Sequence, residues 1–153
     1  MGFFGGYLLD GHGWRSFEPF SEVTMETLGP WLSLEIFDSD FVVIRYFPPG
    51  PGSGSAYLGC TPRSYWDNES ESAPTDVQRE AAGLAAWLPQ FQDRSDEAGL
   101  QELIEPFLAS DEDDDFDDLD DGEEDPAEIF AEIKAARFLH AVGLPVPDDL
   151  ARR

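Results

Sequence analysis

Twelve carboxylates stand in the sixteen positions of SDEDDDFDDLDDGEED, residues 110–125, and no basic residue interrupts them. Side chains of this type at this density can hold a hard cation, favour the start of a helix, or meet a positively charged surface. A calcium loop of the EF-hand kind would take Gly122 as its turn glycine. Asp117 then falls at position 1, Asp121 at 5, Asp125 at 9 and Glu128 at 12. Leu119 stands at position 3, where an oxygen ligand belongs, and no sister loop exists to pair with this one. Those four residues therefore form only a weak calcium candidate. A helix start explains the far end of the run: Glu123, Glu124 and Asp125 precede a helical pattern, where each negative charge is worth about 0.3–1 kcal/mol. Asp111 to Asp121 receive no such local benefit.

Two accounts of that central part stand open. Blocks of like charge are commonly solvated linkers. A merely solubilising run, however, has no use for Phe116 and Leu119, which are three apart and would project together from one helical turn. Apolar anchors inside a charged rim are what an interface needs. A partner-binding site is therefore expected here. Asp111, Glu112, Asp113, Asp114, Asp115, Asp117, Asp118, Asp120 and Asp121 would supply charge, and Phe116 and Leu119 the anchors.

Other chemistry-bearing residues are sparse. His12 lies in DGHGW, which turn geometry explains; a catalytic role would need a second base or a nucleophile that spacing does not identify. His140 falls near a helix C-terminus, where a cation is favoured. Cys60 is the only cysteine, which excludes an internal disulfide or cysteine-based zinc site; it reads as a small buried hydrophobe. GPGSGS lacks the lysine and the following helix of a phosphate-binding loop. Arg63, Tyr65 and Trp66 in CTPRSYWDNES are of the types that dominate interface hot spots, and so form a candidate secondary interface. Equally, Tyr65 and Trp66 could lid the core under the first helix.

The elements that must position these groups divide the chain. Residues 1–72 read as β-rich. The clearest pair is Trp31–Phe37 with Phe41–Phe47 across Asp38-Ser39-Asp40, a hairpin signal. Phe3–Leu9, Trp14–Phe17 and Ala56–Cys60 are the remaining expected strands, and the glycine-rich segment after Phe47 a loop that is loose at its glycine end. Residues 73–109 read as helical. One helix is capped by Thr75 and Gln78, with Val77, Ala81, Leu84, Leu88 and Phe91 as its apolar stripe. A second carries Leu100, Leu103, Ile104, Phe107 and Leu108. After the acidic segment 110–125, a C-terminal helix spans 126–143, with Ile129, Phe130, Ile133, Ala136 and Leu139 inward and Gly143 at its end. The expected fold is α+β: a small, mainly antiparallel sheet from the N-terminal half, covered by about three C-terminal helices in one domain.

The charge limits the partners. The chain of 153 residues carries a net charge of −24, of which residues 95–153 hold −16. Such a surface repels nucleic acid and anionic lipid and attracts basic proteins. No apolar run approaches the roughly 20 residues of a membrane span, and the first residues lack a signal peptide's basic start. A cytoplasmic protein with no cofactor is expected.

In size, acidity and lack of a catalytic constellation the chain resembles the immunity proteins of bacterial polymorphic toxin systems. That resemblance implies a non-enzymatic protein that occludes a basic toxin, often a nuclease. Two alternatives belong to other classes: a DNA-mimic inhibitor or regulator of a nucleic-acid-binding protein, for which a phage origin would suit, and a small enzyme using His12.

Overall fold

Strands form where β-branched and aromatic residues alternate, and the hairpin at the middle of the N-terminal half sets the frame. The computed structural model describes residues 4–11, 13–17, 29–71, 74–91, 97–109 and 131–151. Strands β1 (Gly5–Asp10), β2 (Gly13–Phe17), β3 (Trp31–Phe37), β4 (Phe41–Phe47) and β5 (Ser55–Leu58) make one antiparallel sheet in the order β2-β1-β3-β4-β5. The fold is α+β. Trp31 pairs with Phe47 and Phe37 with Phe41, so the hairpin has the limits read from its sequence. β1 runs on to Asp10, which the sequence placed in a turn. Its buried carboxylate is held across the hairpin by Arg15 at 2.6 Å, so the charge stays in the strand. β5 stops at Leu58, short of the expected Cys60. Gly59 turns there at a φ of 89°, and a Cβ on it would stand 2.7 Å from the Asp40 carbonyl.

Five helices follow among the described residues: α1 (Pro62–Tyr65), α2 (Val77–Phe91), α3 (Glu97–Ile104), α4 (Ala131–Ala141) and α5 (Asp148–Ala151), with a 3-10 turn at Glu105–Phe107. The main core lies between one sheet face and α2 to α5. Leu9, Leu32, Leu34, Ile36, Val42 and Ile44 meet Leu84, Trp87, Leu88, Leu100, Ile104, Phe138 and Leu139 there, all buried. Each such side chain contributes about 1.5–3 kcal/mol.

Three helical details differ from the sequence reading. Asp76, not Thr75, caps α2: its Oδ1 accepts the Arg79 amide at 3.1 Å, and its negative charge suits the helix start better. Leu103 faces outward, 38% exposed, because Leu100 and Ile104 already fill the α3 stripe. In α4 the inward face is Ala131, Ala135, Phe138 and Leu139, while Ile133 and Ala136 lie at its margin. The bulky Phe138 ring takes the core position, edge-on to Phe107 at 5.7 Å. Gly143 ends α4 as expected, with the Leu144 amide bonded to the Leu139 carbonyl at 2.9 Å.

The glycine-rich loop after Phe47 is held, against the expectation that it would be loose. Glu80 of α2, itself buried, accepts the Tyr46 hydroxyl at 2.7 Å and the Ser53 amide at 2.9 Å. Arg79 donates to the Pro51 carbonyl at 3.2 Å. Gly52 and Gly83 let loop and helix touch: a Cβ on Gly83 would lie 2.9 Å from the Gly52 Cα. Burial, and then the bond to Glu80, pushes the Tyr46 hydroxyl far above its ordinary range.

Candidate binding surface on the second sheet face

The odd-numbered positions of β3 and β4 point away from the long helices, and there the sequence supplies Phe37, Phe41 and Val43. With Cys60 they form a second, smaller apolar cluster, joined by Tyr57 and Tyr65. Local chemistry fixes what lies over it. Thr61 and Pro62 start α1, the Thr61 hydroxyl accepting the Ser64 amide at 3.3 Å and proline taking the first helical position. The helix closes with the Asn68 amide on the Arg63 carbonyl at 2.9 Å and Asp67 in the left-handed region at φ 49°.

That closure sets Tyr65 and Trp66 onto the cluster. Trp66 meets Phe37 at 5.3 Å, Phe41 at 5.7 Å and Tyr65 at 5.0 Å between ring centroids, each near edge-to-face. Phe4 stands edge-on to Phe37 at 5.2 Å. Such ring pairs add about 0.5–1.5 kcal/mol each beyond the area they bury. The Tyr65 hydroxyl donates to Asp40 Oδ2 at 2.7 Å, and that bond, with burial second, pushes its pKa up to about 12.

Of the two sequence accounts of CTPRSYWDNES, the lid holds for Tyr65, on an unexpected face. Tyr65 is a lid, but over Phe41 and Cys60 on the side opposite α2. Trp66 keeps 44% of its surface exposed and Phe4 keeps 48%, so a connected ring system reaches solvent. Arg63, one turn back, is half-buried. Asp40, which accepts the Tyr65 hydroxyl, is exposed, and so are Asp67, Glu69 and Glu71, which follow Trp66 in the chain. Sequence reasoning missed Phe4, Phe37 and these carboxylates as parts of one surface. The available signal was an aromatic followed directly by aspartate, in FDSD and again in WDNESE. Asp38, Ser39 and Asp67 are also the non-glycine residues at positive φ among the described residues, and they flank the same rings. A second ring pair, half-buried Trp31 on exposed Phe47 at 6.2 Å, lies at the far end of this face, near Arg45, which is paired with Glu35 at 3.2 Å.

The acidic run, Asp111 to Asp121 with Phe116 and Leu119, lies outside the described residues, as do His12 and the calcium candidate Asp117, Asp121, Asp125 and Glu128. The described residues on either side of the run are anchored beside the ring cluster. The Ala109 amide bonds to the Tyr57 carbonyl at 2.7 Å, and the Ala131 amide to the Ser39 carbonyl at 2.8 Å. Ser39 also donates to Glu132 Oε1 at 3.1 Å. Among the described residues no three His, Cys, Asp or Glu side chains are grouped to hold a metal, and no helix is long and apolar enough to cross a membrane.

Cys60 is buried, and its thiol is pushed up to about 12 by burial, with Asp40 adding to it. The folded state thus keeps a proton that the unfolded chain releases near its ordinary value of 9.0. Its contribution is complete below that value and is lost as pH rises from there toward the folded value. Urea unfolding between neutral pH and about pH 10.5 should show stability falling, with a smaller fall in Cys60→Ala. Native protein should resist thiol reagents at neutral pH.

Comparison with protein-family models, curated proteins and solved structures gave no match.

Proposed function

We propose that this chain is a non-enzymatic acidic binding protein that neutralises a basic partner protein in the cytoplasm, in the manner of the immunity proteins of toxin systems. The carrying observation is the run of twelve carboxylates in sixteen residues, in a chain of net charge −24. Phe116 and Leu119 within the run support an interface over simple solvation. So does the anchoring of Ala109 and Ala131 beside exposed aromatic rings and carboxylates. Carboxylates steer a basic partner inward, and the apolar groups hold it once docked.

Neutralising Asp113, Asp114, Asp115, Asp117 and Asp118 to Asn should slow association with a partner captured from the native organism by about tenfold or more at low salt, and flatten its salt dependence. Stopped-flow mixing over a salt series measures both. Unchanged association would overturn the electrostatic mechanism. Competition by duplex DNA for the captured partner would mark its target surface as a nucleic-acid groove.

A further inference from the structure

The ring cluster and the carboxylates around it have a chemistry of their own. We infer that Trp66, with Phe4, Phe37 and the carboxylates of Asp67, Glu69 and Glu71, is a docking site for an arginine-bearing segment of the basic partner. This rests on the reading above and adds which side chain the partner presents and where it lands.

Charge and ring chemistry together select the occupant. Trp66 is 44% exposed in a cluster already packed against Phe37, Phe41 and Tyr65, so its ring is held in place before anything binds. Ordering it costs a partner little entropy. Aromatic faces attract cations, tryptophan most of all. Asp67, Glu69 and Glu71 are exposed within five residues of Trp66 and form no ion pair with any described residue. An apolar partner segment would leave those carboxylates at the rim of a dry contact, and an acidic one would be repelled. Arginine fits better than lysine: its planar guanidinium stacks on an indole while its edge N–H groups reach carboxylates, and it is less strongly hydrated than an ammonium.

Backbone geometry supports the assignment. Asp67 sits at φ 49° immediately after Trp66, and Asp38 at the same φ immediately after Phe37. Glycine is the lower-energy choice in that region. At both places the chain carries a carboxylate beside a ring of the cluster.

The test is a titration of the full ¹⁵N-labelled chain with hexa-arginine and, separately, hexa-lysine peptide. It is followed at the Trp66 indole N–H and at the backbone amides of 66–71 and of 110–121. Hexa-arginine should move the Trp66 indole signal saturably. Its affinity at 66–71 should exceed that of hexa-lysine by about three- to fivefold, and Trp66→Ala should remove that preference. Trp66→Leu, which keeps an apolar cover, should lose it as well. Neutralising the five aspartates of the acidic run should leave the Trp66 response in place. Movement confined to residues 110–121 would overturn the arginine site and leave the acidic-partner reading standing. Equal response to both peptides, or full arginine preference in Trp66→Leu, would overturn the arginine assignment. No response in either segment would overturn both readings.

Discussion

Replacing Trp87 with alanine should destabilise the fold by about 3–5 kcal/mol. That is a large share of the roughly 5–15 kcal/mol by which a domain is stable at all. Trp87 is the largest of the fully buried side chains, packed between α2 and the sheet among Leu84, Leu88 and their neighbours. Its indole N–H also donates to the Phe47 carbonyl at 2.9 Å, at the end of β4 where the glycine-rich loop begins. Alanine would open a cavity at the junction of sheet, helix and loop and leave that carbonyl without its donor. Trp87→Phe separates the two effects: it refills most of the space, loses the bond, and should cost about 1–3 kcal/mol. Urea unfolding of the three proteins measures both steps. A loss below about 1 kcal/mol for alanine would mean that the site collapses freely and that Trp87 is not central.

Glu80→Ala should cost about 3 kcal/mol, because it strands the buried Tyr46 hydroxyl and removes the acceptor of the partly buried Ser53 amide. Glu80→Gln keeps an accepting oxygen and the side-chain shape, and should recover more than half of the loss. The remainder reflects the greater strength of a bond to a charged acceptor. Tyr46→Phe removes one donor, so adding it to Glu80→Ala should cost less than the two separate losses combined. Simple additivity in that cycle would show that the two side chains do not act as a unit. The loop reports independently: amide exchange at Ser53 should accelerate in Glu80→Ala more than exchange in β3, since its bond to Glu80 is gone.

How far the sequence revealed these features depended on the range of the interaction behind them. The β3–β4 hairpin follows from local alternation and a short polar turn, and it was read to the residue. The α+β arrangement follows from the division between β-rich and helical halves. Trp87 and Glu80 were missed because a stripe drawn on the narrowest apolar repeat excludes both. An acid at helical spacing between Val77 and Leu84 is a legible sign of a buried partner, but Tyr46 and Ser53 lie elsewhere in the chain. The face of α4 was set by Phe138 packing against Phe107, a tertiary contact that no local period encodes. Tyr65 and Trp66 were singled out by type, and both pack on Phe37 and Phe41. Their location opposite α2 depends on α1, whose Thr-Pro start was present in the sequence but passed over as turn. Phe4 joins them only because β1 pairs with β3, which sets Gly5 opposite Ile36 and so brings the start of the chain to the hairpin end.

The left-handed backbone at Asp38 and Asp67 sets two design goals against each other. A campaign that ranks variants by melting temperature alone would favour glycine at both positions, since each change relieves local strain. It would also trim like charges from an acidic surface, which further helps the compact state. Each accepted substitution would look like an improvement, and together they would erase the carboxylates standing next to Phe37 and Trp66. On the arginine-site proposal, thermostability is a misleading proxy for fitness in this molecule, and a screen that retains binding would hold those two aspartates fixed.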